Sequence, residues 1–201
     1  MTNPTKSTAP LGIACVAAAL VLSACGSNGS GPAAAPAPSS SHSAVEVTAP
    51  ETNPAGDIPD NQVYVPYSAP DGSFTLTVPE GWAQTRIGEE VTFTDKLNAV
   101  RIETRSAATA PTADSVKRDE LKDISTGFTV EVVKRNAGDA VLATYQTASA
   151  PNPVTGKSNT DSVERYSFWR AGQEVILTLS GPVGADNVDP WRTITDSFKW
   201  R

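Results

Sequence analysis

The chain has 201 residues, and its 22 Asp and Glu against 16 Lys and Arg give a formal net charge of −6. An acidic chain argues against nucleic acid or an anionic lipid surface as a partner, because both are themselves negatively charged. The single histidine, His42, and the two cysteines, Cys15 and Cys25, lie near the N-terminus. The rest of the chain therefore lacks the usual residues of a histidine-assisted nucleophile or a zinc site. We expect that the protein is not an enzyme and that it binds no metal or cofactor.

The N-terminal segment has the layout of an export signal. A polar start carrying Lys6 is followed by the apolar run Leu11–Leu22, which small residues then close. This run is shorter than the roughly 20 residues that a membrane-spanning helix needs. We expect residues 1–24 to be removed as a signal peptide, leaving no transmembrane helix.

The end of this signal, Leu22-Ser23-Ala24-Cys25, resembles the lipobox of bacterial lipoproteins, whose cysteine becomes the first residue after cleavage. The resemblance implies peptidase cleavage between Ala24 and Cys25 and a diacylglyceryl group on the Cys25 thiol. Each buried methylene contributes about 0.8 kcal/mol, so two or three acyl chains anchor a protein stably where one does not. We expect a lipid-anchored protein on the extracytoplasmic face of the cell membrane, with the number of chains left open.

After Cys25 the composition changes to Gly, Ser, Ala and Pro with few bulky apolar residues. Such a segment cannot bury enough apolar surface to offset its chain entropy, so residues 25–56 are predicted to be a lipidated cysteine followed by a disordered linker. The remaining residues, 57–201, number on the order of 145, which fits one domain.

Within the domain, apolar and polar residues alternate as half-buried strands require. Ala171-Gly172 reads as a tight hairpin turn, so antiparallel pairing is expected. The pattern predicts about six strands, near Phe74–Val78, Val100–Ile102, Phe128–Val133, Val141–Thr147, Val163–Arg170 and Glu174–Ser180.

Two helices are predicted between and after these strands, which gives an α+β sandwich. The second helix is expected to be capped by Asp186 or Asp189 and to carry an apolar stripe of Val188, Trp191, Ile194 and Phe198. The first follows Pro111-Thr112 and places Ala113, Val116, Leu121 and Ile124 on one face, with Lys117, Arg118, Glu120 and Lys122 in water.

Four stretches of the domain resemble actinobacterial lipoproteins of the Mog1/PsbP-like fold, and the LpqN-like lipoproteins of mycobacteria in particular. The resemblance implies an antiparallel sheet sandwiched by helices, in proteins that bind other proteins. It supplies no catalytic residues. The stretches are Asp57–Gln62, Phe74–Trp82, Pro151–Lys157 and Gly184–Trp191.

Two kinds of catalytic site remain as alternatives. Nothing in the sequence places Lys157 or Lys199 beside a serine in a strained turn, as a serine and lysine pair would need. Paired carboxylates could act as acid and base, but each pair also has a structural interpretation. Glu89 and Glu90 are expected in a turn, and Asp119 and Glu120 on the solvent-exposed face of a helix. Asp186 and Asp189 are expected at the start of a helix.

The aromatic residues divide into core and surface candidates. Trp82 and Trp191 fall on a strand end and a helix stripe and are predicted to pack in the core, whereas Trp169 and Trp200 are left open. Tyr64 and Tyr67 lie in a segment interrupted by proline and are expected to stay partly exposed. We therefore predict that these two tyrosines belong to a partner surface.

The leading hypothesis is a non-enzymatic envelope lipoprotein that binds an unidentified protein partner, for example as an accessory to a transporter. The alternative from a different class is a carrier of a lipid or small apolar ligand, which requires a cavity between sheet and helices. A hydrolase is the third hypothesis and requires titratable groups that converge in a cleft.

Replacing Cys25 tests the anchor directly, because only this thiol can take the lipid. We expect the wild-type protein to partition into a phase-separating detergent and Cys25→Ser to remain in the aqueous phase with its signal uncleaved. Cys15→Ser, inside the signal, should behave as the wild type. An unchanged partition of Cys25→Ser would contradict the anchor.

Overall fold

A computed structural model describes residues 55–124, 127–152 and 154–201. The predicted signal peptide, the cleavage site between Ala24 and Cys25, His42 and almost all of the linker lie outside these residues. The described residues form ten strands and two helices, namely β1 Tyr64–Ser68, β2 Phe74–Pro79, β3 Ala83–Ile87, β4 Glu90–Asp95, β5 Asn98–Ser106, α1 Ala113–Asp119, β6 Thr129–Arg135, β7 Gly138–Ala148, β8 Thr160–Arg170, β9 Gln173–Pro182, α2 Val188–Ser197 and β10 Lys199–Trp200.

These strands form two antiparallel sheets. The large sheet has seven strands in the order β3-β4-β5-β9-β8-β7-β6, and the small sheet has three in the order β1-β2-β10. Helix α2 and the small sheet cover one face of the large sheet, called here the inner face, while α1 packs on the outer face against β6 and β7. The predicted α+β class, with an antiparallel sheet between helices, is confirmed.

The described residues contain more strands than the six predicted. Alternation located β2 and the long strands β5 to β9, and Ala171 and Gly172 form the predicted turn with φ of 51° and 88°. Of the added strands, β1 and β10 are short and β3 is exposed at every position, so none shows a clear alternation. The fourth, β4, begins at Glu90, in a stretch that we interpreted as a turn.

The core lies between the two sheets. The ring of Phe198, which follows α2, stacks on Phe168 of β8 at 4.4 Å between centroids and lies 5.4 Å from Phe74 of β2. Each ring is at most 2% exposed, and burying each contributes roughly 1.5–3 kcal/mol. On the predicted apolar stripe of α2, Trp191 and Ile194 are buried. Val188, the first residue of the helix, is 57% exposed.

Helix α1 begins where the sequence predicts but ends early. Thr112 is its N-cap, with a side chain that accepts a hydrogen bond from the Ser115 N–H at 3.1 Å, and the helix ends at Asp119. Val116 and Leu121 are buried against the outer face of the large sheet. In the part of the chain that the structure describes, neither helix is both long and apolar enough to cross a membrane.

Two predicted details of the helices are wrong. The N-cap of α2 is Asn187 rather than Asp186 or Asp189, and its side chain makes no capping bond. Glu120, predicted to lie in water, has a side chain only 10% exposed. The side chains of Asn187 and Glu120 both contact residues that are distant in sequence. The periodicity of a helix cannot predict such contacts.

Two buried asparagines hold the start of the domain. Asn187 accepts a hydrogen bond from the Ile58 N–H at 2.8 Å and donates to Asn98 Oδ1 at 3.0 Å. Both asparagines donate to the carbonyl oxygen of Gly56, at 2.8 Å from Asn98 and 3.1 Å from Asn187. We call these four residues the asparagine clasp. Gly181, near the end of β9, packs against both side-chain amides.

Gly181→Ala tests how tightly the clasp is packed. An added Cβ would lie 2.8 Å from Asn187 Nδ2 and closer still to Asn98 Oδ1, so the amides would have to move apart. We expect a loss of roughly 1–3 kcal/mol in the free energy of unfolding, measured by urea denaturation. The neighbouring Ser180→Ala should cost less than about 0.5 kcal/mol. Equal stability of the two variants would show that the clasp tolerates the methyl group.

Candidate functional site

The outer face of the large sheet carries a chain of alternating charges beside α1. Neighbouring members form ion pairs of 2.5–3.5 Å. Two central side chains, Arg165 and Glu120, are only 11% and 10% exposed. We call this set the Arg–Glu chain, whose members in order are Glu90, Arg101, Glu103, Arg165, Glu120, Arg105 and Glu174.

Glu120 connects the end of α1 to the sheet. One of its oxygens accepts a hydrogen bond from Arg165 Nε at 2.6 Å, and the other accepts one from Arg105 at 2.5 Å. Burial raises the pKa of Glu120, but the two guanidinium groups outweigh that effect and the pKa lies below its ordinary value. The carboxylate is thus held in its charged form and holds α1 against β5 and β8.

A cleft of about 410 Å³ opens at one end of the sandwich. It lies between the β1–β2 turn, the β3–β4 turn, the end of β5 and the start of β9, and we call it the end cleft. Phe74 and Ile102, 2% and 1% exposed, form its floor. An apolar floor bordered by a few polar side chains is typical of a binding site.

The end cleft and the asparagine clasp lie at opposite ends of the large sheet. Strand β5 runs from Asn98 in the clasp to Ser106 in the cleft wall. Strand β9 runs the other way, from Gln173 in the cleft wall to Pro182, which packs against Gly56. Ten residues of extended chain separate the two ends by about 30 Å.

Tyr67 and Arg86 form one side of the cleft mouth. The Tyr67 ring meets Phe93 edge-on at 5.4 Å between centroids, and the Arg86 guanidinium lies 3.4 Å from the Tyr67 hydroxyl. Burial raises the pKa of Tyr67 and the nearby Arg86 opposes this, with the net shift upward. Tyr67 is therefore a neutral hydroxyl at ordinary pH, beside an arginine that has no carboxylate within ion-pair distance among the described residues.

The other charged side chains at the cleft are mostly committed to partners. Asp71 accepts hydrogen bonds from the Ser73 N–H at 3.0 Å and the Ser73 hydroxyl at 2.8 Å, and these bonds lower its pKa. Arg105 belongs to the Arg–Glu chain. Glu89, in the β3–β4 turn, adds one carboxylate to the mouth. The cation that remains available to a ligand is Arg86.

The structure separates most of the residues that the sequence grouped. Tyr67 lies in the end cleft, whereas Tyr64 is half-buried against the core and does not line that cleft; both are partly exposed. Glu90 joins the Arg–Glu chain while its neighbour Glu89 borders the cleft. Asp119 forms an exposed ion pair with Arg118, and Lys157 and Lys199 are exposed.

Sequence reasoning missed two arginines that matter here. Arg165 lies two residues after the apolar Val163, on the same face of β8. A cation on a partly apolar strand face could have indicated a buried ion pair. Arg86 gave no such signal, because every position of β3 is exposed. Its place beside Tyr67 depends on how the two sheets stack.

Between the two sheets, the core residues Phe74, Phe93 and Val175 are at most 5% exposed. Besides the end cleft, surface clefts of about 350 Å³ lie beside Trp191 and between Trp169 and Trp200. These clefts open to solvent. Within residues 55–201 as described, no three His, Cys, Asp or Glu side chains are grouped so as to hold a metal ion.

No protein-family model matches the sequence, and no curated protein sequence matches it. Solved structures of similar fold include cyanobacterial PsbP from Synechocystis sp. PCC 6803, with 14% identity, a TM-score of 0.46 and coverage of 74% of this chain and 100% of that one. The Ran-binding protein Mog1p of Saccharomyces cerevisiae has 8% identity and a TM-score of 0.43, with coverage of 68% and 95%.

A further similar structure is LpqN of Mycobacterium tuberculosis, a protein involved in cell envelope biogenesis. It has 14% identity and a TM-score of 0.39, with coverage of 70% of this chain and 92% of that one. A protein of Bacteroides thetaiotaomicron has 15% identity and a TM-score of 0.48 over 68% of this chain. This chain spans only 48% of that protein's length.

Glu120→Gln tests the centre of the Arg–Glu chain. We expect a loss of about 1–3 kcal/mol at neutral pH, because two guanidinium groups lose a charged acceptor. The folded pKa of Glu120 is lowered, so its stabilisation is complete above the unfolded pKa of about 4.3 and disappears as the pH falls through the folded value. The difference between wild type and variant should therefore shrink below about pH 4.

Urea denaturation across this pH range measures that difference. The matched control is Asp119→Asn, one residue away, because the Arg118–Asp119 pair is exposed. It should cost less than about 1 kcal/mol at any pH. If both variants lose the same stability at neutral pH, Glu120 does not anchor α1.

Proposed function

We propose that this protein is a lipid-anchored, non-enzymatic protein of the cell envelope whose domain binds another envelope protein. The observation that carries the proposal is the sequence Leu22-Ser23-Ala24-Cys25, placed directly after an apolar run and before a long segment rich in Gly, Ala, Pro and Ser. On this proposal, the lipid on Cys25 holds the protein at the extracytoplasmic face and the linker gives the domain reach.

The resemblance to LpqN-like lipoproteins of mycobacteria supports the same setting and an actinobacterial source. Accessory binding to a transporter is one form that such a protein contact would take. The acidic net charge of −6 disfavours a second attachment through anionic lipid headgroups, so contact with the membrane is assigned to the lipid alone.

The charges of the domain support binding rather than catalysis. The carboxylates of the Arg–Glu chain are committed to guanidinium groups, and Asp71 is committed to Ser73. A general acid or base needs a group that can give up or take a proton near the working pH. The end cleft instead combines an apolar floor with Tyr67 and Arg86, and tyrosine and arginine are enriched where proteins meet.

Site-specific photo-crosslinking in cells tests this contact. A photoreactive phenylalanine analogue at position 67 should give an adduct of one defined mass with an envelope protein, because the position borders the end cleft. The control carries the analogue at Val154, which is 89% exposed in the β7–β8 loop and lies away from the cleft. Adducts that are absent at position 67, or identical at both positions, would argue against a partner at this cleft.

A further inference from the structure

We infer that the open edge of β3 and the end cleft together form a docking site for an extended, acidic peptide segment of the partner, which pairs with β3 as an additional strand. This inference rests on the proposed function, since it assigns the class of partner and the mode of contact. Peptides that add a strand to a sheet gain affinity from main-chain hydrogen bonds and specificity from alternate side chains.

The edge strands of the described residues differ in how well they are protected. In the small sheet, β1 contains Pro66, which has no N–H to donate, and β10 has only two residues. In the large sheet, β6 packs against α1 and carries Lys134 and Arg135. Strand β3 has no proline or lysine and no covering element in the described part of the chain, so it is the edge most open to pairing.

The register of the β3–β4 hairpin shows which groups of β3 are available. Ile87 pairs with Glu90 across a two-residue turn whose first position, Gly88, has φ of 61°. In such a hairpin the residues next to the turn form a hydrogen-bonded pair, and the following pairs alternate. The N–H and C=O groups of Arg86 and Gln84 therefore point away from β4, toward the open edge.

The side chain of Arg86 connects this edge to the end cleft. Arg86 is opposite Val91, which is buried on the inner face, and its guanidinium reaches the Tyr67 hydroxyl in the cleft mouth. A strand paired with β3 places every second side chain on this same face. A carboxylate there would complete an ion pair with Arg86 in the cleft mouth.

The proposed peptide therefore carries an acidic residue on the face that meets Arg86. Glu89 does not oppose this arrangement at the edge itself, because it lies in the turn beyond the end of β3. Arg105 and Asp71, also at the cleft, are held by the Arg–Glu chain and by Ser73. The preference for a carboxylate accordingly depends on Arg86.

Selection from a displayed library of random ten-residue peptides, using the lipidated full-length protein in detergent, supplies the probe. Gln84→Pro removes one outward N–H without removing a bond to β4, and proline is accepted at such an edge position. Gln84→Ala removes only the side chain. We expect the selected peptides to bind Gln84→Pro at least about tenfold more weakly and Gln84→Ala within about twofold of the wild type.

Arg86→Ala tests the charge separately. It should weaken peptides that carry the acidic residue by about tenfold and leave versions with Gln or Asn at that position unchanged. Hydrogen exchange on the wild-type complex gives a readout that does not depend on any variant folding. Bound peptide should slow exchange at the backbone amides of Gln84 and Arg86.

Three results would overturn the inference: no peptide is enriched, peptides bind both Gln84 variants equally, or neither amide gains protection. Its failure can be distinguished from failure of the proposed function. If the position-67 adduct persists in cells that carry Gln84→Pro, the proposed envelope partner is retained as a hypothesis. Only the added-strand contact is then rejected. Protection at Gln84 and Arg86 together with the loss on Gln84→Pro would support the docking site.

Discussion

The structure depends on the large sheet, whose two faces are stabilised by different kinds of interaction. The inner face is closed by apolar packing, with Phe74, Phe168 and Phe198 in contact across the sandwich. The outer face is covered by α1 only over β6 and β7. Beside α1, ion pairs between strands take the place of a second apolar layer, and Glu120 joins the two regions.

This division of the faces also bears on the proposed contact with a partner. The small sheet has only three strands and covers the inner face incompletely, so the ends of β3 and β5 stay accessible beside Tyr67. The outer face offers few uncommitted charges, since its arginines and glutamates neutralise each other. The proposed contact is therefore assigned to the region where Arg86 and the outward backbone groups of β3 border the end cleft.

The sequence alone predicted the parts of this fold that depend on local patterns. Alternation and the Ala171-Gly172 turn located the long strands, and Pro111-Thr112 located the start of α1. Glu120 was placed in water because its partner Arg165 is 45 residues away, beyond any periodic signal. Tyr67 was assigned to a surface from its proline-rich surroundings, but its neighbour Arg86 could not be found, because two strands of different sheets bring them together.

The asparagine clasp has a mechanical consequence. The chain N-terminal to Gly56 joins the domain at the clasp, so tension along that segment enters the sandwich through Asn98 and Asn187 and is passed to the first residue of β5 and the last residues of β9. The end cleft lies about 30 Å from this point of attachment, at the far ends of the same two strands. If the chain is anchored as proposed, a pull on its N-terminal segment loads the clasp first, and the proposed partner in the cleft gains the length of the sheet as additional reach.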